Sequence, residues 1–242
     1  MTRLLLAALL AQAAADGHPL TAEQRDQIRR DNEAAVAKLT GKDPGIELCS
    51  ARGDAYFKLG KFAEAAADYD QMAQMDPSLE TSHWRRGIAF FYAGRHEKAA
   101  RQFEAYNSFD NVDRENGIWR YFSQFKAFGK EKAREGLLKY AKDDREPFPD
   151  VYQLFEGKRT PDQIVEKIKS ARIDDEEREK RYFYAHLYIG LNHAVEGSSE
   201  AALKHLRKAV ENTWGPKSGY GPQYMWHVGR VHYDLLAAPK KN

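Results

Sequence analysis

The sequence predicts an all-α fold of stacked antiparallel helical hairpins, and three observations predict it. First, a pattern recurs at one fixed interval: Gly53 returns as Gly87, Gly60 as Gly94, Ala65 as Ala99 and Tyr69 as Phe103. Second, small residues stand where two helices must approach closely, and aromatic side chains beside them fill the gaps. Third, helix-ending residues punctuate the copies. Gly60 and Gly94 fall where a turn needs a positive φ, and Pro77 follows a second helix, where it blocks continuation. Two helices of this kind cannot bury their apolar faces alone, so the copies must stack.

A 34-residue unit carrying Gly53, Tyr56, Ala65, Tyr69 and Pro77 has the tetratricopeptide (TPR) signature. The expected architecture is a TPR solenoid, a right-handed superhelix of helix-turn-helix hairpins, over residues 46–238. Within it, repeats are expected at about 46–79 and 80–114, a degenerate stretch at 115–172, a further repeat at 183–213 and a capping helix at 223–236.

The elements follow in order. Residues 1–15 hold one basic residue, Arg3, then the apolar run Leu4 to Ala11, then Ala13, Ala14 and Ala15, the layout of a secretory signal peptide. The run is too short to span a bilayer, which takes about 20 apolar residues. No cysteine follows it, so a bacterial lipid anchor has no attachment point. Export to the periplasm or beyond is the expectation, with a cytoplasmic protein that keeps its N-terminus as the alternative. Thr21 and Gln24 have capping-box spacing and start a helix expected over 22–39, ended by Gly41 and Pro44. Its apolar positions, Ile28, Ala35, Val36 and Leu39, are sparse, so it either caps the first repeat or packs against a partner chain.

After the two clear repeats, Trp119 follows Trp84, and Gly129 follows Gly94, at an interval one residue longer than the one between Gly53 and Gly87. One residue is therefore expected to be inserted in the loop Asp110 to Glu115, with Ala133 at the small crossing position. Pro147 and Pro149 mark a break. A short helix is expected over Val151 to Glu156, closed by Gly157. Thr160, Pro161 and Gln163 restart the chain as a capping box with proline in the first turn, and Ile164, Val165 and Ile168 give that helix its apolar face. The charge-dense run Asp174 to Arg181 reads as a solvated helix start. Gly190, Gly197, Ala202, Leu206 and Ala209 then repeat the spacings of Gly53, Gly60, Ala65, Tyr69 and Met72. Gly215 to Gly221 form a longer loop than repeats usually need, and 239–242 read as a frayed tail.

Composition narrows the function classes. The chain has 242 residues, 38 basic and 36 acidic, for a formal charge of +2, so no nucleic-acid partner is expected. Cys49 is the only cysteine, which excludes an intrachain disulfide and a cysteine-built zinc site. It stands on the inward face of the first repeat and reads as a buried small hydrophobe. No serine has a nucleophile-elbow context. Asp143-Asp144 and Asp174 to Glu177 lack the apolar surroundings that raise a carboxyl pKa, and no glycine loop has the ending that cradles phosphate. His186, His193 and His205 are the one set that might converge for a metal-dependent hydrolase, yet their spacing is not that of helical zinc ligands. The expectation is therefore no catalytic residues, no metal and no cofactor.

A binding reading has positive support. The first helices of stacked hairpins line a concave face that can grip a protein or peptide partner. Counting from Gly53 and Gly87, the groove positions are Ser50, Asp54, Phe57 and Lys58, then Trp84, Ile88, Phe91 and Tyr92, then Trp119, Ser123 and Lys126. Aromatic anchors within a charged rim are the usual make-up of an interaction hot spot. Trp84 and Trp119 read equally well as core between repeats. Ser50 and Asp54 stand where the chaperone-binding TPR modules carry a lysine and asparagine clamp, so that clamp is not expected.

Two tandem repeats, a degenerate pair, the segment Tyr152-Gln153-Leu154-Phe155-Glu156-Gly157 before a helix, and a last repeat through Phe183-Tyr184 and Tyr188-Ile189-Gly190 give a combination that resembles exported bacterial TPR proteins of the NlpI lipoprotein type. The resemblance implies a homodimeric envelope adaptor, joined partly through its N-terminal helix, that brings cell-wall hydrolases to a periplasmic protease or to other peptidoglycan enzymes. The chain departs from that group in having no lipobox cysteine.

Overall fold

A methyl group added at Gly53 would stand 2.6 Å from Cε1 of Tyr69, and one at Gly87 would stand 2.6 Å from Cζ of Phe103. Only glycine lets the paired helices come this close, and the same contact made once per repeat sets the spacing of the first two hairpins. The computed structural model describes residues 17–142 and 144–238. Among the described residues it holds thirteen α-helices and no strand. The expected signal peptide (1–15) and frayed tail (239–242) lie outside them. No helix among the described residues is long and apolar enough to cross a membrane.

The chain divides into two compact units, Ala35–Arg172 and a second made of Ile173–Asn242 with the stretch up to Ala34. Helix α1, Ala22–Leu39, runs across this division. Its capping box forms as expected: Gln24 Oε1 accepts from the Thr21 amide at 2.8 Å, and Thr21 Oγ1 accepts from the Gln24 amide at 3.1 Å. None of its residues is buried, in keeping with its sparse apolar positions.

In the unit Ala35–Arg172, α2 (Ile46–Lys58) pairs with α3 (Phe62–Met75), and α5 (Trp84–Tyr92) pairs with α6 (His96–Phe109). Gly60 and Gly94 take positive φ of 75° and 74° in the turns. Pro77 is followed by a single helical turn, α4 (Leu79–Ser82), which breaks before α5 at His83. The buried His83 ring stops the first helix and starts the next, because its Nδ1 accepts from the Arg86 amide at 3.2 Å. Cys49 is buried, and burial raises its thiol pKa.

The third repeat is cut short. Helix α7 (Arg114–Phe128) is long, but its partner α8 (Lys130–Glu135) has six residues, with Ala133 buried at the crossing position. Helix α9 (Phe148–Phe155) covers α7 instead: Phe155 lies 5.1 Å from the Tyr121 ring and 5.4 Å from the Phe122 ring. Helix α10 (Pro161–Ser170) follows with the expected Thr160–Gln163 capping box and buries Ile164 and Ile168.

An arginine ladder, absent from the sequence-based expectation, sets the register of these three repeats. Arg52, Arg86 and Arg120 recur at the same interval as Gly53 and Gly87. Each reaches the residue 16 positions ahead in its own repeat: Arg52 makes two bonds to Asp68 at 2.9 and 2.6 Å, Arg86 bonds Gln102 at 2.9 Å, and Arg120 bonds the Gly136 carbonyl. Arg86 and Arg120 also reach 16 positions back into the preceding repeat, to Asp70 at 2.7 Å and Glu104 at 3.3 Å. The period of the first two repeats therefore holds through Arg120, whereas the turn glycines Gly94 and Gly129 are one residue further apart. Ala133 keeps the same interval from Ala99, so no residue is inserted in the loop Asp110 to Glu115 or elsewhere in the repeat: α7 runs on to Phe128, the turn glycine Gly129 alone is shifted by one, and Trp119 corresponds to Arg85 rather than to Trp84.

Arg86 stitches two repeats together from a largely buried position, so Arg86→Met leaves Asp70 and Gln102 without their donor. The expected loss is about 2–4 kcal/mol in urea denaturation. Arg101→Met, at an exposed pair with Glu97, is expected to change stability by less than about 0.5 kcal/mol.

In the second unit, α11 (Asp175–Val195) pairs with α12 (Ser199–Glu211), and α13 (Tyr220–Ala237) packs on α12. Gly190 repeats the role of Gly53: a Cβ there would stand 2.8 Å from Cγ of Leu206. The loop 215–221 begins with a 3-10 turn, Gly215–Lys217, in which Gly215 lies against the Phe183 ring. Trp226 Nε1 then donates to the Val210 carbonyl at 3.0 Å and ties α13 to α12. The N-terminal stretch is held here too, through His18 Nε2 and Asp234 Oδ1 at 2.8 Å and through buried Leu20.

Candidate partner-binding surface

The structure divides the residues expected in a groove into two groups. Asp54, Phe57, Ile88, Phe91 and Trp119 are buried, with exposures of 8, 0, 1, 7 and 2 %. Asp54 is a structural acceptor: its Oδ1 takes the Tyr69 hydroxyl at 2.6 Å and the Arg85 guanidinium at 2.6 Å, while Arg85 also donates to Ser50 Oγ at 3.0 Å. This cluster joins the first and second repeats and occupies the Ser50 and Asp54 positions of the expected groove. Ser123 is also buried, donating to the Trp119 carbonyl at 2.7 Å.

Trp119 is core between repeats. It stacks on Phe103 with ring centroids 6.1 Å apart and planes at 20°, and meets Phe91 at 5.5 Å and Phe122 at 5.7 Å edge-on. The physical reason is its place in the ladder register. One residue before Arg120, it points at the second helix of the preceding repeat, where Phe103 fills the space left by Gly87.

Lys58, Trp84, Tyr92 and Lys126 keep accessible surface, with Lys126 the most exposed. Lys58, Tyr92 and Lys126 recur at the repeat interval and form one row along the C-terminal ends of α2, α5 and α7. The Tyr92 ring, which keeps only part of its surface, lies between them, 5.4 Å from buried Phe57, 6.3 Å from buried Trp119 and 5.0 Å from half-buried Phe62. Burial of its hydroxyl end raises the phenol pKa well above the ordinary value, so Tyr92 stays neutral. His96 borders the same cluster at 5.4 Å from Phe91, and burial and then the nearby Lys126 lower its pKa, so it is neutral at neutral pH. What this surface offers is an amphipathic aromatic ring fixed from below and flanked by cations, an arrangement suited to holding an apolar side chain beside an acidic one.

The histidines converge only as a pair. His186 and His205 approach with Nδ1 atoms 3.0 Å apart between α11 and α12, and His193 stands with its ring 5.7 Å from that of His205. Burial, then His205 and Lys208, push the His186 pKa down to about 3. Among the described residues, no group of three or more His, Cys, Asp or Glu side chains is placed to hold a metal ion. The pair closes the contact between two helices.

The arginine ladder is legible in the sequence as a third series at the repeat interval, beside the glycines and alanines. Reading by signature passes over it, because arginine is not a signature residue of the repeat. A family model for the TPR repeat matches residues 53–94, the stretch from the first close-approach glycine to the second turn glycine. Residues 53–94 thus carry a TPR repeat, and the helical hairpins among the described residues have the all-α fold of a TPR solenoid.

Proposed function

We propose that this protein is a non-catalytic interaction scaffold of the bacterial cell envelope that binds a protein or peptide partner through the accessible part of its first-helix surface. The observation that carries the reading is the row Lys58, Tyr92 and Lys126, with Trp84 partly exposed at the other end of α5. Most other aromatics on these helices are spent on packing between repeats, whereas Tyr92 and Trp84 retain surface. The alanine-rich N-terminus supports export and cleavage, with a cytoplasmic adaptor as the alternative. The resemblance to exported TPR proteins of the NlpI type supports a homodimer that serves cell-wall hydrolases or a periplasmic protease.

The test is crosslinking in the native host followed by mass spectrometry, for wild type and for the double variant Trp84→Ala, Tyr92→Ala. A loss of crosslinked partner of about tenfold or more is expected from the folded variant. Unchanged recovery removes this surface from the proposal. N-terminal sequencing of the protein from its host checks export: cleavage after Ala13 or Ala15 is expected, and an intact Met1 or Thr2 overturns it.

A further inference from the structure

The overall charge of +2 conceals a local segregation within the unit Ala35–Arg172. The three turns that join first to second helices, residues 58–62, 92–96 and 126–130, carry Lys58, Lys61, Arg95, Lys126 and Lys130 with His96, and no carboxylate. The turns that lead from one repeat to the next lie at the other end of the hairpins and carry Asp76 and Glu80, then Asp110 and Asp113. Ring contacts bring these ends together: Phe62 of the first turn lies 5.0 Å from Tyr92 of the second, and Tyr92 lies 6.3 Å from Trp119 on the helix that leads into the third.

Helix-end electrostatics accounts for part of this, since cations favour helix C-termini. It does not account for all of it. Lys61, Arg95 and Lys130 precede or open the following helices, where the dipole favours anions. Glu64, Glu97 and Glu131 stand in the first turns of those helices, yet neither Lys61, Arg95 nor Lys126 has an ion-pair partner among the described residues. Phe128 adds a half-exposed ring at the third turn. The basic turns thus form a rim continuous with Tyr92 and its aromatic support.

We infer that this rim recognises an acidic segment of a protein partner, an extended stretch in which Asp or Glu residues alternate with an aromatic or large aliphatic anchor. Cations recur at the repeat interval on either side of Tyr92, and Lys61 stands 6.0 Å from the Tyr56 ring, which matches charged and apolar side chains presented along a strand-like peptide. A membrane surface would need no such register. The inference rests on the proposed scaffold function and names the chemistry of its partner.

The probe is a fluorescent peptide of repeating Glu-Glu-Phe units, with a Lys-Lys-Phe peptide as control, titrated by anisotropy against the full chain and against Lys61→Glu, Arg95→Glu, Lys126→Glu combined. The acidic peptide is expected to bind wild type, and to bind the triple variant about tenfold or more weakly. Affinity should also fall steeply as salt is raised from about 0.05 to about 0.5 M, because the Debye length shortens over that range. Circular dichroism verifies that the exposed substitutions leave the fold intact. Equal binding of the two peptides, or a triple variant as good as wild type, overturns the inference. So does binding of phosphatidylglycerol vesicles without binding of the peptide. If host crosslinks vanish with Trp84→Ala, Tyr92→Ala but survive the charge reversals, the scaffold surface stands and the acidic partner falls. If neither variant changes them, both fall.

Discussion

Trp119→Ala is expected to destabilise the unit Ala35–Arg172 by about 3–5 kcal/mol, the cost of removing a large aromatic from a packed core. Trp119 is 2 % exposed and touches rings from two repeats, Phe91 and Phe103 on one side and Phe122 on its own helix. The cavity would open at the junction that transmits stacking from the second repeat to the third, and a solenoid depends on such nearest-neighbour contacts. Trp119→Phe is expected to lose much less. It keeps most of the apolar area, and it removes an indole N–H that is buried without a partner. Trp84→Ala, at a partly exposed position, is expected to cost about 1 kcal/mol and to act mainly on partner binding. Urea denaturation of the three variants checks the order. A Trp119→Ala protein within about 1 kcal/mol of wild type would contradict the core assignment and return Trp119 to the binding surface.

Acid is expected to loosen the contact between α11 and α12 before it loosens the first two repeats. His186 has its folded pKa pushed to about 3 by burial, then by His205 and Lys208. An unfolded histidine titrates near about 6.5. As pH falls through that value, the unfolded chain takes a proton that the folded one refuses, so stability is present above it and is lost downward toward 3. The slope is about 1.4 kcal/mol per pH unit. His83 in the other unit behaves the same way, with its pKa pushed to about 3 by burial and then by Arg85. There, however, burial raises the Asp113 carboxyl to about 6. Its folded form holds a proton that the unfolded form has lost, so between about 4 and 6 its contribution has the opposite sign and offsets that of His83. Among the described residues of its unit, no carboxyl raised by burial offsets His186. Hydrogen exchange at pH 5, compared with pH 7 after correction for intrinsic rates, should show lost protection in α11 and α12 and a smaller loss in α2 to α6, where the raised Asp113 offsets part of what His83 and His96 lose. His186→Gln should abolish the difference. Equal loss in both units would refute the assignment.

The hairpins were legible because glycine carries two meanings that sequence spacing separates. A glycine inside a helix, such as Gly53, Gly87 or Gly190, marks a close crossing, and one after it, such as Gly60, Gly94 or Gly197, marks a left-handed turn. The capping boxes at Thr21 and Thr160 were readable for a similar reason, being local hydrogen bonds between residues three apart. The groove was less legible. Whether an aromatic on a first helix faces solvent or the preceding repeat changes with a shift of one residue, and the tryptophans are spaced one residue wider than the arginines. Asp54 has the sequence position of a groove residue, but Tyr69 and Arg85 converge on it.

The sequence by itself determined the all-α class, the two sharp repeats, the helix boundaries around Gly60, Gly94 and Gly197, and the recovery of the pattern at Gly190. These are set by local backbone preference and by a period that counts along the chain. Tertiary structure decided the register of the third repeat, its shortened second helix, and which aromatics are core. It also gathered Lys61, Arg95 and Lys126 onto one rim while the total charge stays near zero. Those outcomes depend on which side chains meet across helices of the same and of neighbouring repeats, and burial and Coulomb energy depend on distance in space rather than on distance along the chain.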